Sequence, residues 1–274
     1  MKNFMNPAEL DQLDEVIILD VRQSLQDPEY GICEYEKEHL RGAYYLNLDA
    51  DLSGPVTNDS GNHPLPTQKA LTDKLEQIGA TNESLFVVYD EGINFTAARA
   101  WFVLKYFGLE KVYVLNGGFK AAKEAGYAMS TEHPRAKQSY IELSPNESMV
   151  ASYEEVLAYS TNPDKETVLI DSRQNSRFTG EEETLYPIAG HIPHAINLEY
   201  TGNYDDFGKL LADEELASRF EPFAQTKNLI LSCGSGVTAC SNFIAMDEVG
   251  LDPRLYVGSY SQWLKKGNKA AQGK

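Results

Sequence analysis

The chain has 274 residues, 42% hydrophobic and 24% charged, with 20 glycines and 12 prolines, a globular composition that excludes disordered and fibrous classes and leaves room for one large or two medium domains. Its 41 acidic residues against 24 basic ones give a formal net charge of −17, which excludes nucleic acid as a partner because a phosphate backbone is bound by clustered Lys and Arg. Cys33, Cys233 and Cys240 are too few for a disulfide framework and lack metal-ligand spacing, so a reducing compartment is expected.

No run of ~18 apolar residues predicts a membrane span. Met1 to Glu15 lacks the apolar centre of a secretory signal, so the expected location is the cytoplasm.

In chain order, the first element is the apolar run Val16–Leu19, closed by Asp20 and followed by Val21-Arg22. Then come Glu38-His39-Leu40-Arg41-Gly42-Ala43 and the run Phe86–Tyr89, which ends at Asp90-Glu91-Gly92. A helix is predicted over 94–107 from the stripe Ala97, Trp101 and Leu104, with Gly108 as its stop. Val112–Leu115 precedes Asn116-Gly117-Gly118-Phe119. Residues 131–150 are rich in Pro, Ser, Asn and charge and form the expected linker, within which Tyr140 to Leu143 is a candidate to pair with a sheet edge.

Ser152-Tyr153-Glu154-Glu155 is a capping-box sequence, and after it the same series returns. Val168–Ile170 is closed by Asp171-Ser172-Arg173, and Gly190-His191-Ile192-Pro193-His194-Ala195 answers the first half's His39 segment. Leu229–Ser232 ends at Cys233, a helix over 236–249 carries Cys240, Phe243 and Ile244 and stops at Gly250, and Leu255-Tyr256-Val257-Gly258-Ser259-Tyr260 follows. Four matched elements at a period of about 145–150 residues mark a duplicated domain, the period being far too long for a solenoid. Each half alternates short apolar runs with helix-period segments. The predicted fold is therefore α/β: two tandem domains, 1–138 and 139–274, each a mostly parallel sheet with helices on both faces.

Duplication lets one half serve as a control for the other. His39 with His191, Asp20 with Arg22, and Asp171 with Arg173 occur in both halves and are expected to serve the fold. Cys233 stands where the first half has Asp90, and Arg177 stands where it has Gln26. Cys233 follows a strand and precedes Gly234-Ser235-Gly236-Val237-Thr238 at the start of a helix, where ligands bind in open α/β sheets. Two glycines allow the backbone to curl so that N–H groups converge on an anion, backed by the helix N-terminus. Such a nest favours the thiolate, the nucleophilic form of cysteine. Cys240 is two helical turns on, ~10 Å along a helix axis, beyond disulfide reach and on the apolar stripe, so it is assigned to the core.

The repeat, the Cys233-Gly234-Ser235-Gly236-Val237-Thr238-Ala239 loop and the Gly190-His191-Ile192-Pro193 segment together resemble the two-domain rhodanese sulfurtransferases. Cys-Gly-Ser-Gly is similar to the loop of 3-mercaptopyruvate sulfurtransferases, whereas thiosulfate-preferring relatives carry basic residues after the cysteine. The resemblance implies a ping-pong transfer of sulfur from a small anionic donor, 3-mercaptopyruvate or thiosulfate. The sulfur passes through a persulfide on Cys233 to cyanide or a thiol, including that of a thioredoxin-like protein, with neither metal nor organic cofactor. It implies that Arg177, in Ser176-Arg177-Phe178, holds the donor's anionic head together with the backbone of Gly234, Gly236, Val237 and Thr238. It also implies a proton-transfer set of Ser235, His63 and Asp49, and a first domain without a nucleophile. One departure from the 3-mercaptopyruvate enzymes is Tyr186, which occupies the place of their second arginine and counts against 3-mercaptopyruvate as the donor; Lys209 and Arg219 are the bases available to compensate.

Three other readings compete. A phosphatase of this fold needs an arginine at the sixth position after the cysteine, where this chain has Ala239. A non-catalytic tandem binding or regulatory module gains nothing from a glycine-rich cysteine loop. A redox-sensing thiol needs a resolving cysteine within reach, and Cys240 is badly placed for that. Arg177 has a plainer alternative too, a surface ion pair with Glu181 to Glu183.

Overall fold

The computed structural model describes every residue except 14, 25 and 274 and comprises two compact units. The first contains Met1–Gly54, Leu65–Asn146 and Tyr204–Leu210; the second contains Pro55–Pro64, Glu147–Asn203 and Leu211–Lys274. The main division in sequence falls after Asn146. Ile141 and Leu143 are buried, and the N–H groups of Ser144 and Asn146 bond the carbonyls of Phe107 and Tyr106, which ties this segment to the first unit. The expected edge pairing of Tyr140–Leu143 does not form. Side chains hold that stretch instead: Asn82 exchanges two hydrogen bonds with the backbone of Glu142, and Gln68 donates to the Leu143 carbonyl.

In the first unit the strands are β1 (Phe4–Met5), β2 (Ile17–Asp20), β3 (His39–Leu40), β4 (Ala43–Tyr45), β5 (Phe86–Tyr89), β6 (Val112–Leu115) and β7 (Met129–Ser130). Five of them form a parallel sheet in the order β1-β6-β5-β2-β4, and β3 pairs antiparallel with β7. In the second unit β8 (Thr167–Asp171), β9 (Ile196–Asn197), β10 (Asn228–Ser232) and β11 (Pro253–Leu255) form a parallel sheet in the order β11-β10-β8-β9. Parallel neighbours require crossover connections, which the helices supply. All four residues of β5 and the last four of β10 are buried, because a central parallel strand is covered on both faces and must be apolar on both.

The duplication extends to individual hydrogen bonds. Arg22 Nε and Nη2 donate to the Asp20 carboxylate at 2.7–3.0 Å, and Arg173 does the same to Asp171 at 2.7–3.1 Å. His39 lies 3.9 Å from the Tyr35 ring, stacked, with Nδ1 on the Tyr35 carbonyl. His191 lies 3.8 Å from the Phe178 ring, with Nδ1 on the Phe178 carbonyl. Burial lowers the His191 pKa even though that carbonyl opposes it, which suits a neutral ring packed in the core.

Both long predicted helices begin later than their patterns indicate, at Thr96 and Ala239. Asn94 and Gly236 sit at φ 55° and 80°. A left-handed residue is incompatible with a helix, so the preceding segment stays a loop.

Candidate active site

β10 ends at Ser232 and delivers Cys233 at the carboxyl edge of the second unit's sheet, the position at which parallel α/β sheets present their ligand loops. Cys233 is 1% exposed, yet polar groups surround it. Gly236 N–H donates to Sγ at 3.2 Å, and Ser259 Oγ lies 4.0 Å from the same sulfur while accepting the Cys233 N–H at 3.1 Å. The Cys233 and Gly234 carbonyls accept the N–H groups of Tyr260 and Ser261 at the start of helix Ser259–Lys265. Because C=O and N–H point opposite ways across a trans peptide, the Gly234 and Ser235 N–H groups face away from that helix.

Gly236 is required by this turn. Its φ is +80°, and an added Cβ would stand 2.4 Å from the Val257 carbonyl oxygen, a backbone atom that cannot yield locally. Gly236→Ala is expected to cost about 1–3 kcal/mol of stability and to displace the sulfur's N–H partner. Chemical denaturation alongside a sulfur-transfer assay checks both effects. Val237 is buried and Thr238 half-buried as the chain enters helix Ala239–Glu248. Cys240 is buried and its thiol turns back to the Gly236 carbonyl at 3.4 Å, so it is a core residue as expected.

His63 reaches Ser235 although the two are far apart in sequence. Segment Pro55–Pro64 is part of the second unit, where Asn62 N–H donates to Ser261 Oγ at 3.0 Å and Asp59 pairs with Lys266. This anchoring places His63 Nδ1 2.7 Å from Ser235 Oγ. Asp49 lies in the first unit, exposed, with its N–H on Asn47 Oδ1.

Arg177 projects from the short helix Asn175–Thr179. Its Nη2 is 3.0 Å from both Glu183 oxygens, and its buried Nε has no hydrogen-bond partner. The pairing with Glu183 does occur, but the acid is 2% exposed, so the contact is an interior one rather than a surface ion pair. Glu183 also faces Arg173 Nη1 at 3.3 Å. Burial alone would lower the Arg173 pKa; Asp171, Glu183 and the Cys233 sulfur outweigh it and leave it raised.

Arg219 is committed elsewhere, donating to Asn203 Oδ1 and the Glu199 carbonyl. Lys209 belongs to the first unit, where its stem packs on Gly117.

The first unit supplies a direct comparison. At the end of β5, Asp90 fills the turn with its own carboxylate. One oxygen accepts the N–H groups of Gly92 and Asn94 at 2.8 and 3.1 Å, and the other accepts from Thr96 Oγ1 and Ala97 N–H, both at 3.2 Å. The turn at the start of a helix is therefore an anion cradle, occupied in one unit by a fixed carboxylate and in the other by a sulfur.

Two contributors escape a reading of the sequence. Ser259, at φ 48°, takes the place of Gly118, at φ 60°; a Gly-to-Ser difference between the halves at a left-handed position was the available signal. Glu183 sits in an acidic run whose members look equivalent until burial distinguishes one of them.

Rhodanese-like domain models match residues 6–125 and 153–266. The chain is 38% identical over 256 residues to a probable 3-mercaptopyruvate sulfurtransferase of Pseudomonas aeruginosa, covering 91% of this chain and 89% of the relative. It is 30% identical to a thiosulfate sulfurtransferase of Gallus gallus, covering 85% of this chain and 81% of that one. Among solved structures, the 3-mercaptopyruvate sulfurtransferase from Leishmania major superposes with a TM-score of 0.84 at 31% identity, over 96% of this chain and 74% of that one. With the duplicated parallel sheets and the cysteine loop at the end of β10, these matches establish that the chain belongs to the rhodanese-like domain family and carries that domain twice.

Proposed function

We propose that this protein is a sulfurtransferase that accepts a sulfane sulfur from 3-mercaptopyruvate or thiosulfate on Cys233 and passes it to cyanide or a thiol. The observation that carries this reading is the Gly236 N–H directed at Cys233 Sγ at 3.2 Å, in a turn whose counterpart holds a carboxylate. Relatives covering nine-tenths of the chain and named for this activity support it.

The Cys233 thiolate attacks the outer sulfur of the donor. The donor's C–S bond, or the S–S bond of thiosulfate, breaks with its electron pair leaving on pyruvate enolate or sulfite, and a Cys233 persulfide remains. An acceptor thiolate or cyanide then attacks the outer sulfur, and the Cys233 thiolate is regenerated. The loop N–H groups suit both anionic forms of the sulfur. Arg177 presents a guanidinium fork to the donor's carboxylate or sulfonate, with the backbone of Gly234, Gly236, Val237 and Thr238 forming the rest of the cradle. Asp90 cannot carry sulfur, so the first unit is non-catalytic. Among the described residues no helix is long and apolar enough to cross a membrane; the cytoplasm, where acceptor thiols stay reduced, suits the reaction.

The 2.7 Å contact between His63 Nδ1 and Ser235 Oγ supports a role for the pair in protonating the pyruvate enolate, the hydroxyl giving its proton and regaining one from the imidazole. Sulfite leaves without needing that proton. His63→Ala and Ser235→Ala are therefore expected to lower kcat with 3-mercaptopyruvate about 100-fold or more, with little change for thiosulfate; equal losses for both donors would remove the pair from proton transfer. Asp49→Asn belongs in the same comparison, and a rate matching wild type removes Asp49 from the set.

The reading as a whole is tested by incubating the protein with each donor and weighing it. A gain of one sulfur atom on Cys233, removed by cyanide, is expected, and no gain with either donor overturns it.

A further inference from the structure

Ser261 touches both segments that carry the Ser235–His63 pair. It is 3% exposed and belongs to helix Ser259–Lys265. Its backbone N–H donates to the Gly234 carbonyl at 2.8 Å, and its hydroxyl accepts the Asn62 N–H and donates to the Gly258 carbonyl, both at 3.0 Å. Gly234 precedes Ser235, and Asn62 precedes His63. One residue therefore ties together the two chain segments whose next members meet at 2.7 Å between Ser235 Oγ and His63 Nδ1.

The segment that brings His63 docks on this helix. Residues 55–59 are exposed, Val56 among them, so apolar burial does not hold them. The ion pair of Asp59 with Lys266 and the bond from Lys265 Nζ to the Ser60 carbonyl lie at the surface, where such contacts contribute little. The shielded contacts are the approach of Gly61, where an added Cβ would stand 2.5 Å from the Gly258 carbonyl oxygen, and the bond from Asn62 to Ser261. Proton transfer needs heavy atoms about 2.6–3.2 Å apart, so the register of this docking governs whether the pair works. In the first unit, where Gly118 takes the place of Ser259, the position of Ser261 is held by the exposed Lys120, beside a turn that carries no sulfur.

Resting on the sulfur-transfer reading above and its Ser235–His63 pair, we propose that Ser261 is a positioning residue that sets His63 in register with Ser235, acting through Asn62. The experiment is steady-state kinetics with 3-mercaptopyruvate and thiosulfate on the full chain carrying Ser261→Ala, His63→Ala or both. Alanine keeps the N–H to Gly234, and the Gly258 carbonyl keeps the Gln262 N–H at 3.0 Å, so the cysteine loop stays in place. Ser261→Ala is expected to lower kcat with 3-mercaptopyruvate about tenfold, with KM and the thiosulfate rate unchanged. In the His63→Ala background it is expected to cost nothing further, since a residue that acts only through His63 has nothing left to position. Gly61→Ala lifts the same segment by a different route and should reproduce the donor-selective loss. A readout that needs no donor is the His63 Nδ1 resonance in proton–nitrogen NMR of the resting protein, which Ser261→Ala should move toward its value in Ser235→Ala.

Equal losses with both donors, a further loss in the His63→Ala background, or an Nδ1 resonance that stays put each overturn the role of Ser261. Wild-type protein that gains sulfur on Cys233 and depends on His63 with 3-mercaptopyruvate, while Ser261→Ala turns over at the wild-type rate, sinks this inference alone. Wild-type protein that gains no sulfur from either donor sinks the sulfur-transfer reading and this inference with it.

Discussion

Cys233→Ser is expected to abolish sulfur transfer and the gain of sulfur on the protein while leaving the fold in place. A serine hydroxyl is protonated and weakly nucleophilic at neutral pH, so the loss should reach about a thousandfold or more. The oxygen still accepts the Gly236 N–H that the sulfur accepts now, so stability should change by no more than about 1 kcal/mol. Cys240 offers no substitute, being fully buried with its thiol on the Gly236 carbonyl. Turnover and intact mass measured on the variant decide the matter, and an undiminished rate would refute the mechanism.

Arg177→Ala has the second largest expected effect. Removing a charge-assisted hydrogen bond to an anionic donor costs about 1.5–3 kcal/mol, equivalent to roughly a 10- to 100-fold rise in KM. The buried, unpartnered Nε is the atom that makes this more than a pairing with Glu183, since a buried donor without a partner is costly unless a ligand satisfies it. Glu183 retains Arg173 in the variant, so the fold survives and kcat and KM remain readable. Arg177→Lys, which keeps the charge and loses the planar fork, should fall between wild type and Ala. An unchanged KM in Arg177→Ala would leave Arg177 as a partner of Glu183 and nothing more.

Much of this site is legible in the chain because its chemistry is local. Leu229–Leu231 is a continuous apolar run that leads through Ser232 to Cys233, and buried parallel strands read that way. Gly234 and Gly236 announce a tight turn, and the comparison with Asp90 isolates the residue that differs. The helix starts were misplaced because the apolar stripe extends past residues whose left-handed φ, at Asn94 and Gly236, carries no periodic signal. Tyr140–Leu143 has the look of an edge strand, yet Asn82 and Gln68 supply its partners, and side-chain bonds of that kind leave no pattern in sequence. Tyr186 was visible as a departure from the 3-mercaptopyruvate enzymes, but its hydroxyl's approach to Gly234, where a Cβ would stand 2.7 Å from it, was not.

By itself the order of residues determined the duplicated α/β architecture and the place of Cys233 in a glycine-rich loop after a strand, because each depends on hydrophobic runs and turn residues within a few positions of one another. Tertiary structure alone decided that Pro55–Pro64 belongs with the second unit and brings His63 to Ser235. It likewise decided that Glu183 is the buried member of its acidic run and that Ser259 sits beneath the sulfur. Those outcomes depend on which distant segments pack together, a sum of many weak contacts over the whole chain that no short stretch encodes.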